Sequence, residues 1–505
     1  MMRGLAPRAI ATALISLLPP AASLLVLPTV LHRAGTQRLG AYQFVVGLVS
    51  LLALLDLNLG QAMTRQIVVA KSQPGGNSAR LSGTAVTMLL AISFGIAILL
   101  TIISPAITSF VPGGGLTSRT IALSSTILVS IFAVSALGGI ANAVSRLAVV
   151  TAINGANVFL TYIGLALIPW TTSTTDAMVS WSALVSWASV AVMVVCLLRY
   201  VPPSWYLPQW SKDAASTLLS FAVPSWWGRA ANLLVISGDR TLVGVVLGVA
   251  YVPLYLLPTL VMKYFVSGMG IISLVAFPVV TERWQHQDQS DRIKLYSRGT
   301  ELFLLCCTGP PIIAMFWAGA LISFWLGRSY IQPLSEVLFL AAVGTIPTIA
   351  SMMAFCVSDA AGRPRIGAVA RSIQALVGFS AALPLAHAYG VIGVAEAFVG
   401  ANIVLWIYGA VAVEYGLLKC TPFSLTFRAA LRPAIVLGGV VAICGLSRLV
   451  TNDSGQVEQA IGLAVSIVGW TCLALVVLIG LRKNGDHPRA ASAVPVLTQA
   501  IEVER

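Results

Sequence analysis

Two basic residues sit where a bilayer would not tolerate them alone. Arg229 lies about midway along an apolar run, in Pro224-Ser225-Trp226-Trp227-Gly228-Arg229, and Lys263 about midway along the next. A charge at the bilayer centre costs on the order of 3 kcal/mol or more, so it faces a wet cavity or a partner. Arg229 is too deep to reach an interface easily, which favours a functional reading. The stem of Lys263 can still reach one. Arg33, Arg65, Arg146 and Arg371 lie near the ends of apolar runs, where snorkelling and orientation also explain them, and for Arg65 and Arg371 that explanation is the favoured one. The acids in or near such runs are Asp56, Glu301 and Glu396, with Asp239 and Asp359 at ends. Asp56 is a candidate partner for Arg33 or Arg65, and Glu301 and Glu396 for Lys263 or Arg229. The same carboxylates are the candidates for binding a proton or sodium ion. Trp226 and Trp227, beside Arg229, have the rings to stack on sugars, although packing is the more common use of such rings.

Other chemistries find no residues to carry them. The seven cysteines show no CxxC or Cys/His ligand spacing, and six lie in or at the ends of apolar runs, as small buried hydrophobes do. There is no Walker-type phosphate loop, no GxSxG and no HExxH. The expectation is a non-enzyme with no catalytic residue, no metal site and no cofactor beyond a coupling Na+ or H+. The net charge of +13 does not imply nucleic acid, because the basic residues form no soluble basic domain.

The elements that must position these charges are membrane helices. Hydrophobic residues make up 58% of the chain, charged residues 9%, and mean hydropathy is +0.91. A soluble chain carries about 25% charged residues. About fourteen apolar spans are expected, at 8–31, 40–62, 82–110, 119–143, 147–170, 176–199, 214–237, 250–281, 297–325, 333–358, 365–386, 390–414, 429–449 and 457–481. Each must be helical, since an open strand in lipid leaves its backbone polar groups unpaired. With the N-terminus inside, 22 of the 30 Lys and Arg fall on the cytoplasmic side and only six outside. Both termini are therefore expected in the cytoplasm. The apolar run near the N-terminus continues past Pro19-Pro20 to Leu31, which favours an uncleaved first helix over a signal peptide.

The chain parses as a six-helix lobe at 1–199 and a cytoplasmic linker at 200–213. A second six-helix lobe follows at 214–415, then an appended helix pair at 416–481 and a polar tail at 482–505. A weak echo supports two related halves. Leu39-Gly40-Ala41-Tyr42 and Leu247-Gly248-Val249-Ala250-Tyr251 each read as a tight Leu-Gly turn followed by an interfacial Tyr. Pseudo-symmetric repeats in transporters hold the substrate between them.

The order and spacing of several motifs resemble the polysaccharide-flippase family. These are Wzx-type exporters of O-antigen and exopolysaccharide, in the same superfamily as the multidrug MATE transporters. The opening motifs are His32-Arg33 through Leu39-Gly40-Ala41-Tyr42, then Leu55-Asp56-Leu57-Asn58-Leu59-Gly60 and Arg65. Phe221-Ala222-Val223-Pro224, Asp239-Arg240, Trp325-Leu326-Gly327-Arg328, Gly362-Arg363-Pro364-Arg365 and Gly390-Val391-Ile392-Gly393 follow. Together they cover about residues 1–415. The resemblance implies an all-α, MATE-like fold with two lobes in a pseudo-two-fold relation, in the bacterial plasma membrane. It implies transport of a polyprenyl-diphosphate-linked glycan, with a polymerase and glycosyltransferases as working partners. Arg229 and Lys263 in one lobe, with Arg33, Arg65 and Arg146 in the other, then become a cationic cavity for the diphosphate. The rivals are a lipid II flippase, whose characteristic amino-terminal motif is absent, and a MATE-type drug or cation antiporter. The antiporter needs cavity carboxylates, and spans one and seven contain no acid.

Overall fold

In the computed structural model, residues 5–71, 77–112, 114–171, 174–286, 288–451 and 456–483 are described. Most of the expected tail, from 484, lies outside them, as does Arg3. All regular elements among the described residues are helices. They run α1 Leu5–Leu52, α2 Leu59–Lys71, α3 Ser78–Phe110, α4 Ser118–Ala143, α5 Leu147–Thr171, α6 Thr175–Leu198, α7 Lys212–Leu233 and α8 Asp239–Val246. The chain continues through α9 Val252–His286, α10 Gln289–Cys307, α11 Gly309–Leu326, α12 Ile331–Ala360, α13 Arg365–Glu414, α14 Ser424–Thr451 and α15 Gln456–Lys483.

Eleven helical stretches among the described residues are long and apolar enough to cross a bilayer. Two of these, Pro20–Lys71 and Arg365–Glu414, each contain two expected spans. The span at 214–237 is helical but is not one of the eleven. All fourteen expected spans are thus largely helical. Two consecutive spans merge where a glycine bends the helix instead of ending it. Gly35 (φ 79°, ψ 168°) bends α1 and Gly390 (φ 62°, ψ −138°) bends α13. Neither has a neighbour that a Cβ would strike, so conformation and not space selects glycine there.

Two expected helices are interrupted: 297–325 divides at Thr308 between α10 and α11, and 40–62 is broken more deeply. Span 40–62 does not run through: α1 stops at Leu52, a 3-10 turn covers Ala53–Asp56, and α2 starts at Leu59. Between them Leu57 (φ 50°) and Asn58 (φ 59°) are both left-handed. The local reason is Asp56, whose Oδ1 accepts the Asn58 backbone N–H at 2.8 Å. Short acidic and amide side chains compete in this way with the helical ladder.

By proximity the chain groups into two compact units. The first comprises 15–263 with 367–401, and the second 264–366 with 402–505 and 1–14. In the first, α4 packs on α2, α3 and α6, and α7 packs on α2 and α3. Small hydroxyl side chains share its apolar interior, and apolar side chains face outward. Ser82, Thr84, Ser93, Ser124 and Ser130 are fully buried between helices, while Phe94, Ile98 and Ile102 are exposed. The buried hydroxyls donate within their own helices, Ser130 to Ile127 O at 2.7 Å for example. The 200–211 linker holds one 3-10 turn, Pro203–Trp205, and is tied to α3 by Gln209 N–H to Gly83 O and Thr87 Oγ1 to Gln209 O.

In the second unit, Tyr296, Phe303, Met353, Val357 and Leu425 form one core. Trp317, Val440 and Cys444 form another, against which Trp470 packs. The appended pair is fixed by Glu414, fully buried at the end of α13. Its carboxylate accepts the backbone N–H groups of Leu425 and Thr426 at 3.1 and 3.0 Å, capping α14.

Candidate functional site

The interrupted segment exists to meet α7. Trp226 Nε1 donates to Leu54 O at 2.6 Å, Asn58 Nδ2 donates to Ser225 Oγ at 3.1 Å, and Arg229 reaches the same turn. Residues 225, 226 and 229 fall within one helical turn, so one face of α7 holds the break. Arg229 is therefore not the lone cation that its own span suggests. Its Nη1 donates to Asn58 Oδ1 at 2.8 Å and to Asp56 Oδ2 and Oδ1 at 3.2 and 3.4 Å. Asp56 was a candidate for pairing with an arginine such as Arg33 or Arg65; the arginine that it meets comes from a helix 173 residues away.

The guanidinium side chain remains 40% exposed, while the Asp56 side chain is 6% exposed. Among the described residues, all hydrogen bonds of Arg229 pass through Nη1, leaving Nε and Nη2 open. A partly solvated ion pair of this kind is worth on the order of 1 kcal/mol. Each hydrogen bond from an open guanidinium edge to a phosphate oxygen is worth about 1.5–3 kcal/mol. An anionic ligand can thus dock on the open edge with Asp56 still in place.

Lys263 forms a second node. Leu234–Gly238, just after α7, is a π-helical turn, which leaves carbonyls out of the α-helical ladder. Lys263 Nζ donates to one of them, Ile236 O, at 3.0 Å, and to Asp239 Oδ2 at 2.5 Å. Asp239 is buried, and it also accepts from Tyr255 OH at 3.1 Å and from the Arg240 backbone at 2.8 Å. Glu301 and Glu396 had been the expected partners of Lys263 or Arg229. Glu301 instead pairs with Arg432, which α14 brings against α10. Glu396 is exposed, and no ion pair among the described residues includes it.

Arg371 donates to Gln374 Oε1 at 2.9 Å, and the other three arginines each cover an aromatic ring. Arg33 lies 3.3 Å from the ring centroid of Trp170, Arg65 4.4 Å from that of Phe221, and Arg146 4.1 Å from that of Tyr200. Arg65 borders the Arg229 node, because Phe221 is eight residues earlier on α7, about 12 Å along the axis. Arg33 and Arg146 are not brought together. Trp170 is near the end of α5 and Arg146 just before its start, and a 25-residue helix separates them by about 35 Å. One diphosphate cannot touch both. Trp226 has its polar edge committed to Leu54, whereas Trp227 is exposed. No group of three His, Cys, Asp or Glu that could hold a metal gathers among the described residues.

Sequence reading passed over Asn58, Ser225 and Ser135, the last donating to Asp56 Oδ2 at 3.4 Å. The only signal was Asn58 itself, an amide in an apolar run two residues after an acid. Asp239 was noted only as an acid at a span end.

A family model for polysaccharide biosynthesis proteins matches residues 44–334, more than half of the chain. Among solved structures, lipid II flippase MurJ in an inward closed conformation superposes with TM-score 0.74 at 14% identity, covering 94% of this chain and 99% of that one. An inward-facing multidrug resistance MATE family transporter of the MOP superfamily gives TM-score 0.64 at 14% identity, covering 81% and 99%. The Vibrio cholerae MATE transporter VcmN in its bent form gives 0.53 at 14%, covering 85% and 98%. No curated protein sequence matches. The fold is therefore the all-helical, MATE-like membrane fold that the motifs implied.

Proposed function

We propose that this chain, which belongs to the polysaccharide biosynthesis protein family, moves a polyprenyl-diphosphate-linked oligosaccharide from the inner to the outer leaflet of the bacterial plasma membrane. The observation that carries the reading is Arg229, an arginine of α7 that is 40% exposed and makes its hydrogen bonds through Nη1, with none through Nε or Nη2 among the described residues. A diphosphate matches the Nε–Nη2 edge with two oxygens. The glycan is carried beside it, with the exposed Trp227 as a stacking surface, while the polyprenyl chain stays in lipid. Alternating access between the 1–199 and 214–415 lobes moves the site from one leaflet to the other. Arg65, one stretch of α7 away, receives the headgroup as it enters. Arg146 and Arg33, at opposite ends of α5, serve the two leaflets in turn. Their separation is what loading and release sites require. No covalent step is involved.

Depletion of the protein tests this directly. The expected result is accumulation of a polyprenyl-diphosphate-linked glycan in the inner leaflet and loss of surface polysaccharide. Accumulation of lipid II would favour the lipid II reading, and an unchanged lipid pool with altered drug sensitivity the antiporter reading.

The orientation is part of the proposal, with both termini cytoplasmic. Asp288→Cys in a cysteine-free background is expected to react with an impermeant maleimide only after the cells are opened. Arg119→Cys is expected to react in intact cells. Ready labelling of position 288 from outside overturns the orientation.

A further inference from the structure

We propose that Asn58 is a positioning residue that presents the open edge of Arg229 to a diphosphate, an inference that rests on the reading of Arg229 given above. Asn58 is left-handed at φ 59° and 2% exposed. Few side chains accept that backbone conformation, and asparagine is among the cheapest. Every polar atom of its side chain is used. Nδ2 donates to Gln61 Oε1 and to Ser225 Oγ, both at 3.1 Å, and Oδ1 accepts from Arg229 Nη1 at 2.8 Å. The Ser225 hydroxyl already donates to Ala222 O, so it can only accept from Asn58. These acceptors fix which way the amide points, and its oxygen must face Arg229.

The choice of a neutral oxygen has a purpose. The shortest bond to Arg229 comes from this amide and not from Asp56, whose contacts are 3.2 and 3.4 Å. Asp56 is already engaged by the Asn58 backbone and Ser135. The guanidinium is steered by an uncharged acceptor and its positive charge is only loosely compensated. Because both residues bind the same Nη1, the Nε–Nη2 edge makes no hydrogen bond among the described residues. A carboxylate at position 58 would hold Arg229 at least as firmly and cancel its attraction for an anion.

Two variants separate positioning from mere structure. Asn58→Gly keeps the left-handed turn and removes the amide. Asn58→Asp keeps the turn and the contact and adds a charge; Gln61 can turn its amide to donate, and Ser225 donates only by exchanging its bond to Ala222 O. Purified variants are titrated with geranylgeranyl diphosphate, with geranylgeraniol as the uncharged control, and cells are scored for surface polysaccharide. The expected result for both is about tenfold weaker diphosphate binding, the scale of one charged hydrogen bond, with geranylgeraniol unaffected. Export should fall with it. In an Arg229→Ala background neither change should weaken binding further. Diphosphate binding unchanged in a folded Asn58→Gly or Asn58→Asp protein overturns the positioning role, as does an equal loss in the Arg229→Ala background. If Arg229→Ala alone binds the diphosphate normally, the reading of Arg229 itself fails and this inference falls with it.

Discussion

Replacing Arg229 with Ala is expected to lower surface polysaccharide about 10- to 100-fold or more at normal protein level, and Arg229→Lys to give an intermediate output. The estimate follows from losing one or two charge-assisted hydrogen bonds of about 1.5–3 kcal/mol each, with 1.4 kcal/mol per factor of ten. Lysine keeps the charge but has no planar edge from which to bind two oxygens while a third nitrogen holds the turn. The Ala change has a second consequence, because Asp56 is buried and would lose its cation. Stranding a buried carboxylate is destabilising on its own. The double change Asp56→Asn with Arg229→Ala removes the stranded charge, since Asn can still accept the Asn58 N–H that forms the turn. The double variant should be as stable as the parent and still fail to export. Full export by the double variant at normal level would assign Arg229 a purely internal role.

What the sequence made legible follows from what lipid demands. Each helix must be apolar along its length, so the fourteen spans are visible as hydropathy alone. The bends at Gly35 and Gly390 were marked by glycine between spans. The break at 53–58 was only half marked: Asp56 and Asn58 can compete with the helical ladder locally, but the groups that meet the broken turn, Ser225, Trp226 and Arg229, come from far away in the chain. Charge pairing was illegible for the same reason. Asp56 and Arg229 lie on helices that only the fold juxtaposes, and Arg432 reaches Glu301 from the appended pair. The grouping of Arg33 with Arg146 failed on a simple length. Both belong to the first six helices, yet α5 stands between them end to end.

Gly40→Ala should lower the apparent melting temperature by on the order of 3 °C, whereas Gly95→Ala should leave it unchanged or raise it slightly. The Leu-Gly echo suggested that Gly40 and Gly248 play one role, a tight turn. They do not. Gly248 is the turn, at φ 104°, while Gly40 lies inside α1. The partner of Tyr42, expected at an interface, is Ser182 Oγ at 3.0 Å, and the ring is buried. The two echoed motifs instead touch each other. A Cβ at Gly40 would penetrate the Val249 carbonyl oxygen and lie 2.7 Å from its carbon and 3.0 Å from Pro253 Cδ. Those atoms are backbone and a proline ring, so no rotamer change relieves the clash. Nor can the 248–251 turn recede freely, because Val249 N–H donates to Pro112 O at 3.4 Å and the turn rests on that residue. Overpacking a side-chain core costs about 1–3 kcal/mol, and a clash with fixed backbone belongs at or above the top of that range. At Gly95 a Cβ meets nothing within 4 Å, and alanine is the better helix former by about 1 kcal/mol. Equal melting temperatures for the two variants would mean that α1 and the 248–251 turn separate at little cost, and the close approach at Gly40 would then contribute nothing to the stability of this unit.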